Sequence, residues 1–349
     1  MTNRRTIDGY DVEVSDGDKL VKDPVVSVLT MTHQHVKYIA QALDSILRQR
    51  VDFPYEICLG EDGSTDGTRE ICLAYQERHP DKIRVFLRDR SNPARAKYKM
   101  VWGHNGLETE RACRGQYVAT LEGDDYWVTA DKLQKQVQLF RLHPEAVLCG
   151  GRCQFWHEGY PSPYKIYPSQ SPEETEALGP RDMLRATWFF HPSTRMVPKW
   201  ICEDFDKTLG NDGCYFDWLG ALFVLARSRM RAGSLLFVDE VLSTYRIHAG
   251  GLWSGAQEQG RQKQDVLALQ ETLPLFSGED AAYLRRELVN KCSYLATYGA
   301  SIDERLAYAR TGLKVNPWNR ILWKMLLQCT VKKWLIPFRH DRSSVSAQS

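Results

Sequence analysis

Residues 117–127 read Tyr-Val-Ala-Thr-Leu-Glu-Gly-Asp-Asp-Tyr-Trp, and the order of types in that stretch decides the fold. A short apolar run, Tyr117 to Leu121, predicts a strand. Three carboxylates, Glu122, Asp124 and Asp125, follow where the strand ends. The pattern recurs upstream, where Tyr55 to Leu59 is followed by Glu61 and Asp62. In an open parallel sheet ligands bind just beyond the carboxyl ends of the strands, so acids placed there from two strands can converge on one crevice.

Outward from these two anchors, Val25 to Leu29, Ile83 to Leu87 and Ala146 to Cys149 read as further strands. Helical segments alternate with them. Val36, Ile39, Ala40, Leu43, Ile46 and Leu47 repeat at helical spacing, Ser64-Thr65-Asp66 offers cap side chains to a helix carrying Ile71, Ala74 and Tyr75, and Leu133, Val137 and Phe140 mark a helix stopped by Pro144. The alternation predicts an α/β fold with a mostly parallel sheet flanked by helices. Residues 160–180 hold five prolines with Ser and Gly and read as a long surface loop. Beyond Gln257 helical periodicity dominates. The expected division is an N-terminal extension over 1–23, a main domain over 24–255 with halves 24–128 and 129–255, and a helical C-terminal region with a basic tail over 256–349.

The 349 residues are enough for a sizeable core. With 46 basic and 44 acidic side chains, no global charge draws the chain to nucleic acid or to an anionic membrane. The nine cysteines are scattered, several of them in apolar runs, and read as buried reduced thiols of a cytoplasmic protein. Cys149 and Cys153 have no second pair at zinc spacing. The first 23 residues lack an apolar signal-peptide core, and no run is long enough to span a bilayer.

Glu122-Gly123-Asp124-Asp125 supplies hard oxygen ligands on a tight turn, where glycine permits close backbone approach to a ligand. Such a set suits Mg or Mn, which can neutralise charge on a departing diphosphate. The bland alternative is acids complementing a helix N-terminus. Asp62 within Asp-Gly-Ser is by itself ordinary turn chemistry. The segment after the first strand, Thr30-Met-Thr-His-Gln-His35, contains no Gly-x-Gly-x-x-Gly, and no Gly-x-x-x-x-Gly-Lys-Ser/Thr loop occurs, which excludes the usual dinucleotide and P-loop sites.

Three motifs together, Val-Ser-Val-Leu-Thr-Met-Thr at 26–32, Gly-Glu-Asp-Gly-Ser-Thr-Asp-Gly-Thr at 60–68 and Leu-Glu-Gly-Asp-Asp-Tyr-Trp at 121–127, resemble glycosyltransferase family 2. The likeness continues through Tyr245-Arg-Ile-His248 and Gly251-Leu-Trp-Ser254. It implies a GT-A fold, a nucleotide-sugar donor, a divalent metal (Mn or Mg) and inversion at the anomeric carbon. By the same resemblance Thr32 lies near the nucleotide, Asp62 contacts the base, Glu61 stands before it, and Asp124 is the metal-binding aspartate. Glu122 replaces the family's first aspartate, one methylene longer, and Asp125 orients the ligand, sugar or loop. Asp217 resembles the acceptor-side general base, and its aromatic surroundings would raise its pKa. It also suits a helix N-cap, and Asp212 is the reserve. His248 matches a position near the diphosphate, Arg246 offers a guanidinium for phosphate, and His191, Ser193 and Thr194 match the acceptor side. Trp253 and Ser254 match a closing loop, where the indole suits a sugar ring.

In the C-terminal region Trp318, Ile321, Leu322 and Met325 are expected on one helical face, followed by Lys332, Lys333, Arg339 and Arg342 beside Trp334 and Phe338. Such a helix either packs on the domain or lies at an anionic membrane. The reading that follows is a cytoplasmic, metal-dependent inverting transferase, possible as a peripheral protein at the inner membrane face, that acts on a glycan or lipid-linked acceptor in surface polysaccharide assembly. Alternatives are a noncatalytic carbohydrate-binding or scaffold subunit and a sugar nucleotidyltransferase. Nucleic acid is not an expected partner.

Overall fold

The computed structural model describes residues 3–98, 103–169, 191–209, 218–231, 235–251 and 258–340. The chain divides into two compact units, Met1–Gly251 and Leu252–Ser349. In the first, chain order gives β1 (Asn3–Thr6), β2 (Val12–Ser15), β3 (Val26–Thr32), α1 (Ile39–Leu47), β4 (Tyr55–Glu61), α2 (Thr68–Arg78), β5 (Ile83–Leu87), α3 (Gly103–Arg111), β6 (Tyr117–Glu122), β7 (Tyr126–Trp127), α4 (Lys132–Leu142), β8 (Leu148–His157), β9 (Lys165–Tyr167), β10 (Met196–Pro198), α5 (Lys199–Leu209), α6 (Trp218–Arg231) and β11 (Leu235–Ile247).

Among the described residues these strands form one mixed sheet in the order β1-β2-β5-β4-β3-β6-β10-β8-β11-β7, with β9 on β8. The strands that carry the acids, β4 and β6, pair in parallel on either side of β3. Strand order therefore reverses at β3, and the crevice at such a reversal is where α/β sheets bind ligands. Register completes the placement: Thr32 lies opposite Glu61, and Met31 opposite Glu122. All seven residues of β4 are buried, as expected for a strand covered on both faces. The core joins Val26, Val28, Ile57, Leu59, Ala119 and Leu121 of the strands to Ile39, Leu43 and Ile46 of α1 and Leu133 and Val137 of α4.

Several sequence expectations need revision. Residues 1–23 contribute β1 and β2 to the sheet, with β2 antiparallel to β5. The strand expected to end at Cys149 runs to His157, and β11 is thirteen residues long. The α2 helix starts at Thr68 after Gly67, whose φ of 104° is left-handed. Its expected cap, Asp66, accepts from Thr68 N and Oγ1 and from Val36 N, tying two loops together. The loop expected over 160–180 contains β9, and its residues from 170 onward lie outside the described residues.

The second unit contains α7 (Glu258–Thr272), α8 (Gly278–Tyr298), α9 (Ile302–Val315) and α10 (Arg320–His340). Leu269, Leu284, Leu288, Cys292, Leu306 and Leu322 are buried in its core. A Cβ on Gly312 of α9 would meet Leu322 Cδ1 at 2.5 Å, so the absent side chain lets α10 approach closely. The four residues expected on one face of this helix part company. Leu322 and Met325 turn inward, whereas Trp318 and Ile321 are exposed. No described helix is long and apolar enough to cross a membrane.

Candidate active site

Asp124 occupies the turn after β6, between two imidazoles. His248, just after β11, places Nε2 3.0 Å from Asp124 Oδ2, and His35, in the loop after β3, places Nε2 3.7 Å from the same oxygen. His35 Nδ1 in turn lies 3.3 Å from Thr32 Oγ1. Burial acts to raise the Asp124 pKa, but the charges of His35 and His248 and the His248 hydrogen bond outweigh it and hold the carboxyl below its usual range. Burial holds His35 below the usual imidazole value against the attraction of Asp124, and His248 adds to the lowering. Asp124 thus keeps its negative charge between two imidazoles.

Asp125 behaves in the opposite way. It is fully buried, its Oδ1 accepts from Arg246 N at 2.9 Å, and its Oδ2 has no hydrogen-bond partner among the described residues. Burial, then the neighbouring charges of Asp124 and Glu122, push its pKa well above the carboxylate range. Two adjacent carboxyls therefore differ in character, since the surroundings favour the charged form of Asp124 and disfavour that of Asp125.

The donor set fits a divalent ion at Asp124. Two ligand atoms each about 2.1 Å from one ion and at right angles to each other lie about 3.0 Å apart, the separation observed between Asp124 Oδ2 and His248 Nε2. Carboxylate oxygen with imidazole nitrogen suits Mn-like ions. A second acidic group, Asp8, Asp11 and His104, also has converging ligand atoms. It is a poorer fit, because Arg88 Nη1 lies 3.0 Å from Asp11 Oδ2 and Asn92 donates to Asp8. That cation and those donors make the group a latch between the N-terminal hairpin and α3.

Asp62, at the end of β4, is gripped by Arg95 through both oxygens at 2.6 and 3.1 Å, and Arg90 lies at 3.5 Å. Arg90 also contacts His33 at 2.8 Å. Glu61 does not reach the crevice. Its oxygens accept from Ser64 N and from Arg69, so it shapes the loop behind Asp62. Thr32 is buried at the end of β3, where its carbonyl receives Asp62 N. Glu122 closes β6 and is half-buried.

The Arg246 guanidinium is mostly buried, and its Nε has no hydrogen-bond partner among the described residues. It bonds Gln41 Oε1 at 2.7 Å and lies over the rings of Tyr38, Tyr126 and Trp156. Tyr38 packs at a tilt against His248 with 4.7 Å between ring centres and donates to Glu158, so Arg246 steadies His248 through a shared aromatic ring. His191 is also interior. Its Nδ1 engages Ser193 Oγ at 2.7 Å, and Ser193 continues to Ser243. Burial, then Arg195, drive its pKa down to about 3, and the ring packs on Tyr245. Asp212, Asp217, Trp253 and Ser254 lie outside the described residues.

Sequence reading missed His35, Tyr38, Glu158 and Arg95. The signal for His35 was its place, three residues past a strand at the sheet's reversal. Arg95 follows β5 in a short 3-10 turn and carries no motif of its own.

Residues 27–198 match the model of glycosyl transferase family 2. A glycosyltransferase of Nostoc sp., itself uncharacterized, is 31% identical over 300 residues, covering 82% of this chain and 81% of the relative. The chain belongs to glycosyltransferase family 2. An uncharacterized protein of Mycobacterium tuberculosis is 28% identical over 242 residues, 68% of this chain, and the match spans 63% of that protein's length. Among solved structures, Staphylococcus aureus TarS residues 1–349, crystallised with UDP-GlcNAc, superposes with a TM-score of 0.57 at 17% identity, over 83% of this chain and 81% of that one. The fold is accordingly that of the GT-A transferases.

Proposed function

We propose that this chain is a metal-dependent inverting glycosyltransferase that moves one sugar from a nucleotide-sugar donor to a glycan or lipid-linked acceptor, in surface polysaccharide assembly. The observation that carries the reading is the pairing of Asp124 with His248 beside the strand-order reversal, where Asp124 stays anionic between two imidazoles, while Asp62 N bonds the Thr32 carbonyl at the end of the central strand. Asp62, fixed by Arg95, faces the nucleoside end of that crevice. Asp124 and His248 would hold a divalent ion, with Glu122 and Asp125 at its margin. Such an ion neutralises charge on the diphosphate leaving group.

The remaining chemistry falls to the protein. Inversion requires a base on the acceptor side that takes the hydroxyl proton as the oxygen attacks the anomeric carbon. Asp217 is assigned that role, with Asp212 in reserve. Asp217→Asn is expected to abolish transfer while leaving donor binding nearly intact.

Calorimetric titration with UDP, GDP, dTDP and CMP, with and without Mn, tests the reading against Asp124→Asn as control. One nucleotide is expected to bind tightly, and only with metal. Equal metal-dependent affinity in wild type and Asp124→Asn removes the metal assignment, and failure of all four nucleotides to bind removes the donor site.

A further inference from the structure

Among the described residues fourteen large apolar side chains are exposed, and six of them fall between Trp318 and Trp334. Their spacing is informative. Trp323, Leu327, Val331 and Trp334 follow one another at intervals of four, four and three, which aligns them along one stripe of α10. Leu322, Met325 and Cys329 occupy the opposite stripe and are buried. The helix is therefore apolar on two sides, and packing within its own unit uses only one. Leu327 is 62% exposed and Trp334 74%. Over eleven residues the outward stripe is about 17 Å long.

Charge selects what covers it. From Arg320 to Lys333 the helix contains no Asp or Glu, while Arg320, Lys324 and Lys333 border the stripe and Lys332 lies toward the buried side. Lys333 pairs with Asp303 of α9, and no ion pair engages Arg320, Lys324 or Lys332 among the described residues. A protein partner of ordinary mixed charge needs no such bias. A surface that combines an apolar layer with negative headgroups does, and indoles at Trp323 and Trp334 suit that boundary, where one edge is apolar and the other wet.

We infer that the outward stripe of α10 seats in the interface of an anionic lipid bilayer, with the flanking lysines and arginine at headgroup level. The inference stands on the second unit alone and is independent of the sugar chemistry proposed above.

The test is vesicle flotation of the full chain, with phosphatidylcholine alone and with added phosphatidylglycerol, at low and raised salt. Wild type is expected to float with anionic vesicles, to stay down with neutral ones, and to be released by salt. The Leu327→Glu/Trp334→Glu double variant, altered only at exposed positions, should melt like wild type and lose binding by at least ~10-fold. Arg320→Glu/Lys324→Glu should lose binding and salt sensitivity together. The inference is overturned if wild type stays down with anionic vesicles, or floats equally with neutral ones. It is also overturned if the Leu327→Glu/Trp334→Glu variant floats like wild type, or if sedimentation shows that the stripe instead joins two copies of the chain.

Discussion

His248 Nε2 and Asp124 Oδ2 lie 3.0 Å apart although 124 residues separate them in the chain. The contact joins the turn after β6 to the segment leaving β11. These strands are not neighbours, since β10 and β8 stand between them. What closes the gap is β7, which carries Tyr126 and Trp127 directly after the acidic turn and pairs with Thr244 and Ser243 of β11. Backbone pairing thus brings two distant loops to one point, and Tyr38, packed at a tilt against His248, holds the ring there.

His248→Ala tests whether that pair is a metal site or only a buried hydrogen bond. A coordinating imidazole should leave Mn affinity lowered by roughly 10- to 100-fold or more when removed. The loss of one hydrogen bond to a charged group costs about 1.5–3 kcal/mol of stability but leaves metal affinity unaltered. Isothermal titration with Mn and a thermal melt on the same variant separate the two, and unchanged Mn affinity rejects coordination.

Gly123 was expected to admit a ligand. Its close neighbours are instead Thr32 and His35, since a Cβ there would meet Thr32 Oγ1 at 2.7 Å, Thr32 Cβ at 2.8 Å and His35 Nδ1 at 3.0 Å. Thr32 belongs to the central strand and cannot retreat, so Gly123→Ala should destabilise the protein by about 1–3 kcal/mol and displace His35 from Asp124. Gly260→Ala, with nothing within 4 Å, is the control and should be neutral or slightly stabilising. Denaturant melts and metal titration of both variants provide the comparison; equal behaviour contradicts the argument.

The strands β4 and β6 were legible because a mostly apolar run ending in carboxylates leaves a local trace, whereas His248 was named only through the resemblance of its motif. β4 is such a run apart from Glu56, whose carboxylate pairs with Arg114, and all of it is buried. β11 was not legible: Ser243, Thr244 and Arg246 are buried by neighbours that only the assembled sheet supplies, and no period of two marks them. His35 escaped for a related reason. A single histidine in a loop has no periodicity, and its meaning comes from Asp124, which approaches only when β3 and β6 pair. Arg246 was read from its motif alone, and the contacts that hold it, Gln41 and three aromatic rings, come from segments far away in the chain.

Arg95 fixes both oxygens of Asp62. Without it the carboxylate keeps, among the described residues, the Arg90 contact at 3.5 Å, which does not fix both oxygens. Arg95→Met should therefore weaken nucleotide binding by roughly 10-fold, the scale of losing one two-point ionic contact, while Mn affinity stays at the wild-type value because Asp124 is untouched. Nucleotide and metal titrations of the same variant test this; a parallel loss of both would show that Arg95 supports the site as a whole.

Far from the crevice, Glu110 of α3 is buried, and its Oε2 has no hydrogen-bond partner among the described residues. Burial, opposed by Lys199 and reinforced by Asp206, raises its pKa from 4.5 to about 7. Folded protein therefore holds this proton over a range where unfolded chain has released it, and the stabilisation present at low pH is lost as pH rises from about 4.5 through about 7. At 1.36 kcal/mol per pKa unit the loss is about 3 kcal/mol. Glu110→Gln keeps the shape and cannot ionise, so it should remove this contribution and leave the variant more stable than wild type above neutrality. Denaturant unfolding of both proteins at pH values spanning that window measures it. Equal pH slopes would mean that Glu110 ionises in place, its charge met by Lys199, whose Nζ already donates to the Glu110 carbonyl at 2.9 Å.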